Sequence, residues 1–290
     1  MTKILVTGAS GFIGKHLIPR LNSCQYEIVE ANSLAGDVAD KKTWSHFEPV
    51  DVVIHLAGST FVPDSWNNPG GFVQTNFYGT VCALDYCRKY NSRMIYLSSY
   101  LYGNPDKLPI SETDPLIAKN PYALSKKLAE EVACFYAEYY GVKITVFRPF
   151  NVYGPGQSKQ FLIPSLIDQV FAGNNIIVKD LEPKRDYVYI DDLIDAIIRG
   201  VEANLDFDVF NIGTGVSYSV AELIDFIQKI KGTDLAVLSS GERRIEEVMD
   251  TQADIKNASK KLAWKPRYTM YSGLEKIISL RYGEEKHIIT

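Results

Sequence analysis

The chain has 290 residues, and at roughly 150 residues per domain this length suits two domains or one large one. Its 31 Lys+Arg against 35 Asp+Glu leave a formal net charge of −4, so it lacks the basic face that duplex DNA or an anionic membrane demands, and neither partner is expected. Hydrophobic residues make up 46% and charged residues 23%, ordinary for a packed globule, which excludes disordered, collagen-like and coiled-coil readings.

Four cysteines, Cys24, Cys82, Cys87 and Cys134, form no CxxC pair. They read as buried free thiols in a reducing compartment. The four histidines are scattered, no HExxH is present, and no metal site is expected. The N-terminus runs straight into Lys3-Ile4-Leu5-Val6-Thr7 without the segments of a secretory signal. No apolar run reaches spanning length, so the expectation is a cytoplasmic protein.

In chain order, Ile4–Val6 is a short β-branched run stopped by glycine, the pattern of a strand buried on both faces. A helical pattern follows from about 11 to 21. Further strands are predicted at Tyr26–Val29, Asp51–Leu56, Met94–Leu97 and Lys143–Phe147, with helices over about 70–90 and 122–139. Strands alternating with helices predict an α/β fold: a Rossmann-like, doubly wound parallel sheet whose ligands bind beyond the carboxyl ends of the strands. After Asn151 the pattern changes at Gly154-Pro155-Gly156, and later short strands such as Val209–Ile212 are mixed with helices. The predicted division is a dinucleotide-binding domain of residues 1–150 plus about 188–214, and a smaller substrate domain of 151–187 and 215–290. The Glu/Lys-rich stretch 284–286 reads as solvated surface.

The first strand leads into Gly8-Ala9-Ser10-Gly11-Phe12-Ile13-Gly14. Glycines in a strand–turn–helix context let the backbone approach a pyrophosphate, and the helix N-terminus adds free N–H groups and a partial positive charge. No Gly-Lys-Ser/Thr follows, so this is no Walker A loop. About 20 residues on, the place of the acidic residue that holds the adenosine ribose falls near Asn32, with Ser33 next. Glu30 lies two residues early. Asn and Ser do not repel a 2′-phosphate, yet no Arg stands near to grip one, and Lys41 and Lys42 are several residues away. The cofactor is therefore read as NAD(P).

Pro121-Tyr122-Ala123-Leu124-Ser125-Lys126 carries Tyr-x-x-x-Lys, and positions i and i+4 share a helix face. An ammonium beside a phenol lowers its pKa from about 10 toward neutrality and makes it a general acid or base. Ser98 and Ser99, at the end of the fourth strand, are read as pointing into the same crevice. There a hydroxyl bonds a substrate oxygen while Tyr122 moves its proton. The Tyr-Lys spacing alone is common on helical surfaces, and this chain has 18 tyrosines. Its weight comes from the glycine loop and the serines together.

These residues resemble the extended short-chain dehydrogenase/reductase family in its nucleotide-sugar epimerase/dehydratase branch. The match adds His55-Leu56-Ala57-Gly58, Asn76 with Gly79-Thr80, and Arg148-Pro149-Phe150-Asn151-Val152-Tyr153-Gly154-Pro155. It continues through Arg185-Asp186-Tyr187-Val188-Tyr189-Ile190-Asp191-Asp192 and Leu262-Ala263-Trp264-Lys265-Pro266. The resemblance implies that Gly8, Gly11, Phe12, Ile13 and Gly14 cradle the pyrophosphate and that Asp37 and Val38 meet the adenine. Leu56, Ala57, Gly58, Thr60, Asn76 and Phe150 would line the cofactor, which the family makes NAD more often than NADP, and Lys126 would reach its nicotinamide ribose. It makes Ser98, Tyr122 and Lys126 catalytic. It assigns Ser99, Tyr100, Asn151, Arg185, Arg244 and Glu247 to a nucleotide-diphosphate sugar, the two arginines gripping its diphosphate; Arg243 is an alternative to Arg244. It also implies a homodimer through two long helices.

Two departures stand out. The region between the second and third strands is short. Ser99 and Tyr100 occupy the places where the family's dehydratases carry an Asp-Glu pair, which argues against a 4,6-dehydratase. The leading expectation is a nucleotide-sugar 4-epimerase. The alternative is an NADPH-dependent reductase of a nucleotide 4-keto-6-deoxysugar. A non-catalytic NAD(P) sensor would carry a broken Tyr/Lys/Ser set, and here all three residues are present.

Overall fold

A computed structural model describes residues 1–242 and 247–288. Six parallel strands form the main sheet: β1 (Lys3–Thr7), β2 (Glu27–Ala31), β3 (Val52–His55), β4 (Arg93–Leu97), β5 (Ile144–Pro149) and, after three strands that leave the sheet, β9 (Phe207–Ile212). Their order is β2-β1-β3-β4-β5-β9, all pairs parallel. The order reverses between β1 and β3, the switch point at which an open α/β sheet leaves a crevice.

The strands alternate their side chains between two cores. Ile4, Val6, Ile54 and Leu97 face one, and Leu5, Val53, Met94 and Tyr96 the other. With both faces buried, the strands read as nearly unbroken apolar runs. The first face is covered by α1 (Phe12–Ser23) and, later in the chain, α8 (Ile190–Glu202). The second is covered by α2 (Lys41–Trp44), α5 (Gly79–Tyr90) and α6 (Pro121–Tyr140). β2 runs two residues further than its apolar pattern indicates, pairing Thr7 with Ala31. Being the edge strand, it tolerates Glu27 and Glu30 facing water.

The helix predicted over 70–90 is present from Pro69 to Tyr90 as α4 (Pro69–Phe72), a π-helical stretch at Val73–Tyr78 and α5, and a separate short helix, α3 (Val62–Asn67), precedes it. Pro69 starts a new helix behind the cap of Asn68, whose Oδ1 accepts the Gly71 N–H at 3.1 Å. The π-helical turn turns Asn76 inward. α6 is clearly bounded: the Asn120 side chain accepts the Ala123 N–H at 2.8 Å, Pro121 takes the first helical position, and Gly141 ends it in the left-handed conformation.

A smaller sheet, ordered β10-β8-β6, joins β6 (Asn151–Tyr153), β8 (Lys184–Tyr189) and β10 (Ser217–Ser219). Val188 and Tyr189 pair here with β6, so by pairing the chain rejoins the main sheet's helical layer only at Ile190. α7 (Leu162–Ala172), α9 (Val220–Lys231), α10 (Lys256–Lys261) and α11 (Met270–Ile288) pack around this part, with β7 (Ile176–Val178) and β11 (Val237–Ser239) paired beside it. Cys82 and Cys87 are buried, but Cys24 and Cys134 are exposed, contrary to the expectation of buried thiols; all four are free. No helix among the described residues is long and apolar enough to cross a membrane.

Trp264 ties the two parts together. It is fully buried, and its indole N–H donates to Asp192 O at 2.9 Å. The Asp192 carboxylate receives the N–H groups of Arg267 and Tyr268. Trp264→Ala is expected to lower unfolding free energy by about 3–5 kcal/mol, read as a fall in the midpoint of urea denaturation.

Candidate active site

The glycine turn is built by close approach. Gly8 has φ +69, and a Cβ there would lie 2.8 Å from Ala57 N; a Cβ on Gly14 would lie 2.4 Å from Ala9 O. Gly8 N donates to Ala31 O, and Ala57 N donates to Thr7 Oγ1, which shares a 2.8 Å hydrogen bond with His55 Nδ1. Burial holds the His55 pKa down to about 3, helped by the charge of Lys126, so the ring is neutral. The ends of β1, β2 and β3 are thus locked around a cavity of about 470 Å³ lined by Gly8, Gly11, Asn32, Asp37, Val38, Ala57 and Gly58 among others. A backbone cradle without Cβ atoms, opening onto a helix N-terminus, fits a dinucleotide pyrophosphate.

Asn32 follows the last register pair of β2 and faces this cavity with Ser33. Its Oδ1 accepts the Leu34 N–H at 2.9 Å, leaving its neutral amide N–H groups to meet a ribose. Lys41 is occupied by Asp85 at 3.0 Å. Phe12, Ile13 and Leu56 are half-buried and pack on the first core, and Thr60 is exposed. Two residues expected to line the cofactor are engaged elsewhere. Asn76 is buried and spends its amide on Ser59 N, Ser59 O and Ser125 Oγ. Phe150 is buried and stacks on Tyr100 at 4.9 Å between centroids. Both brace the site from behind.

At the reacting end, Lys126 is only 5% exposed and donates to Leu97 O at 2.8 Å. Burial lowers its pKa to about 8 against the raising influence of Glu130. The Tyr122 phenol is pushed above its usual value by burial, with the Ser99 hydrogen bond acting in the other direction. The expectation was that the Lys126 ammonium brings the phenol toward neutrality; in the structure burial dominates and Ser99 is the group that opposes it. The expectation that Ser98 and Ser99 share one crevice is also corrected. Successive residues of an extended chain point to opposite sides. Ser98 is buried and donates to Glu130 Oε1; Ser99 is the one that bonds Tyr122.

On the other side of the crevice, Tyr100 Oη donates to Asn151 Oδ1 at 3.1 Å, and Asn151 Nδ2 donates to Asp186 O at 3.0 Å. Arg185 donates to Lys184 O and Val248 O and pairs with Glu247. Arg243 and Arg244 lie outside the described residues. Three buried groups carry structure that the sequence motifs named without a role or passed over. The Asp186 carboxylate collects N–H groups from Thr214, Gly215 and Ala253. Arg148 grips Glu130 through Nε and Nη2. Glu130 stands four residues after Lys126, a spacing that helical periodicity could have pointed inward.

A parallel sheet with a glycine cradle at its switch point, and a Tyr-Lys helix with serines at the next strand end, define a Rossmann-fold enzyme of the extended short-chain dehydrogenase/reductase type. Residues 4–213 match the profile of the NAD dependent epimerase/dehydratase family, and the chain belongs to that family. The GDP-6-deoxy-D-mannose reductase of Pseudomonas aeruginosa is 31% identical over 96% of this chain and 96% of its own. The UDP-glucose 4-epimerase of Lactobacillus helveticus is 30% identical over 92% of each. The structure of UDP-glucose 4-epimerase from Thermotoga maritima with UDP-glucose superposes with a TM-score of 0.91 at 28% identity, covering 98% of this chain and 99% of that one. Related structures hold NAD or NADPH, and the cradle here fits either.

Two substitutions test the cofactor end. Gly8→Ala forces a Cβ into Ala57 at positive φ. It is expected to cost about 1–3 kcal/mol of stability and to weaken NADH binding at least about tenfold, read by denaturation and fluorescence titration. Asn32→Asp sets a carboxylate against a 2′-phosphate, so NADPH affinity is expected to fall about tenfold or more while NADH affinity holds.

Proposed function

We propose that this enzyme is a nucleotide-sugar 4-epimerase acting through a transient 4-keto sugar. The observation that carries the reading is the grouping of Tyr122, its partner Ser99 and Lys126 next to Gly58 of the dinucleotide cavity, with Ser99 and Tyr100 in place of an acidic pair. Bound nicotinamide would supply the acceptance and return of hydride. Tyr122 takes the proton of the sugar hydroxyl and gives it back, with Ser99 favouring the phenolate by its hydrogen bond. Lys126, held on Leu97 O, supplies the ammonium that orients the cofactor ribose. Ser98 completes the constellation from the end of β4.

Substrate anchoring falls to Asn151, Arg185 and Glu247, with Arg244 the second arginine on the diphosphate. Arg185 would exchange Glu247 for phosphate oxygens, a bidentate fit for a guanidinium. The dinucleotide half (1–150 and about 188–214) and the substrate half (151–187 and 215–290) would close on the sugar between them. A homodimer through α5 and α6 is supported by exposed Leu124, Phe135 and Tyr139 on α6.

Two observations favour a second reading, an NADPH-dependent reductase of a nucleotide 4-keto-6-deoxysugar. Asn32 and Ser33 place no carboxylate where a 2′-phosphate would lie. A phenol held above its usual pKa is protonated at neutral pH, the form that gives a proton to a ketone.

The deciding experiment identifies the nucleotide retained through purification and offers UDP-, dTDP-, GDP- and CDP-sugars without added reductant. Turnover with retained NAD supports the epimerase; a stoichiometric need for NADPH supports the reductase. In either case Tyr122→Phe is expected to cost about 10²–10⁴-fold in turnover and to leave NADH affinity within about twofold. Unchanged turnover in that variant would reject the role given to Tyr122.

A further inference from the structure

Glu130 has no part in the chemistry above, yet it sits directly beneath it. Tyr122, Lys126 and Glu130 occupy positions i, i+4 and i+8 of α6 and so share one face. The Glu130 carboxylate is buried. It receives the Ser98 hydroxyl, and Arg148 binds it at 3.1 and 3.0 Å through Nε and at 2.6 Å through Nη2. Burying a charge so completely is costly unless its partners hold it in one geometry, and one of those partners is a proposed catalytic hydroxyl.

The surroundings of Lys126 give the carboxylate a second task. From β4, the ammonium meets Leu97 O at 2.8 Å and the Tyr96 ring at 5.0 Å. From β3 it faces His55, which is neutral. From α6 it has Tyr122, whose phenol burial pushes above its usual pKa. Arg148 on β5 is cationic and binds the same carboxylate through Nε and Nη2, its Nη1 going to Tyr102 Oη at 2.8 Å and Glu112 O at 3.0 Å; burial and Glu130 are the influences that act on the ammonium. Among these described groups, Glu130 alone brings a negative charge, one helical turn from Lys126.

On the reading of Tyr122, Lys126 and Ser98 given above, we propose that Glu130 is a positioning residue: it anchors the Ser98 hydroxyl and supplies the negative charge that keeps the buried Lys126 an ammonium. Burial favours the neutral amine, and Glu130 opposes it. Removing that charge therefore lowers the pH at which Lys126 loses its proton. An activity that needs the ammonium is then lost at lower pH as pH rises.

The test is an NMR titration of the full chain carrying 13Cε-labelled lysine, with the Lys126 signal assigned by its absence in Lys126→Met. Glu130→Gln is expected to move the Lys126 midpoint down by more than about half a unit. Arg148→Met, which strips the carboxylate of its cationic partner, is expected to move it up. General loosening of the site would hydrate the ammonium and raise the midpoint in both variants, so the opposite signs separate positioning from a merely structural role. A Glu130→Gln midpoint that rises, or stays within about half a unit of the unsubstituted protein, overturns the proposal. On whichever nucleotide sugar turns over, the alkaline limb of the Glu130→Gln kcat profile is expected to shift down with the midpoint while KM holds; an unshifted limb overturns it too. Turnover unaffected by Tyr122→Phe would reject the catalytic reading, whereas the NMR result judges the Glu130–Lys126 coupling separately.

Discussion

Two opposite charges meet between α6 and β5, and much of the site's geometry is referred to that contact. Glu130 and Arg148 are both shielded from water, with side chains 7% and 8% exposed. Their desolvation is offset only because every lobe of the pair is bonded: the carboxylate by Ser98, the guanidinium by Tyr102 and the carbonyl of Glu112. Tyr102 passes the chain of bonds to Asn211 at the end of β9, and Asn211 passes it to Ile110. The end of β4, the Tyr-Lys helix, β5 and β9 are therefore held in one mutual arrangement. A network so fully satisfied favours one geometry over partly bonded alternatives.

The substrate side is organised by a different device. Asp186 is buried and has no cationic partner among the described residues, and burial pushes its pKa upward. Three backbone N–H groups and the Thr214 hydroxyl compensate. By gathering residues 213–215 and the segment at Ala253 against β8, it fixes the segment from which Arg185 projects. Arg185 itself is held by the carbonyls of Lys184 and Val248 and by an ion pair with Glu247. One half is organised by a buried ion pair and the other by a buried carboxylate that gathers backbone N–H groups. With a net charge of −4, the chain offers an anionic ligand local cations and helix N-termini rather than a favourable overall field.

Contiguous features were legible in advance. The glycine turn, the alternation of strands and helices and the Tyr-x-x-x-Lys spacing each lie within a few residues of one another, and local geometry alone gives them meaning. What escaped reading depended on distance or on direction. Asn76 was expected at the cofactor, but a π-helical turn aims it at Ser59 and Ser125. Phe150 was expected there too and instead supports Tyr100. Ser98 and Ser99 are adjacent in sequence and opposite in direction, because an extended chain alternates its side chains. Glu130 and Arg148, separated by 18 positions, belong to different elements, and no spacing rule joins them.

The sequence by itself determined the class of fold, the place of the cofactor cradle at the end of β1 and the family, since those rest on short-range patterns that only one architecture satisfies. Tertiary structure alone decided which polar groups are desolvated. Burial is the largest influence on the pKa values of Tyr122, Lys126 and His55, and burial is a property of what packs around a residue, not of its neighbours in the chain.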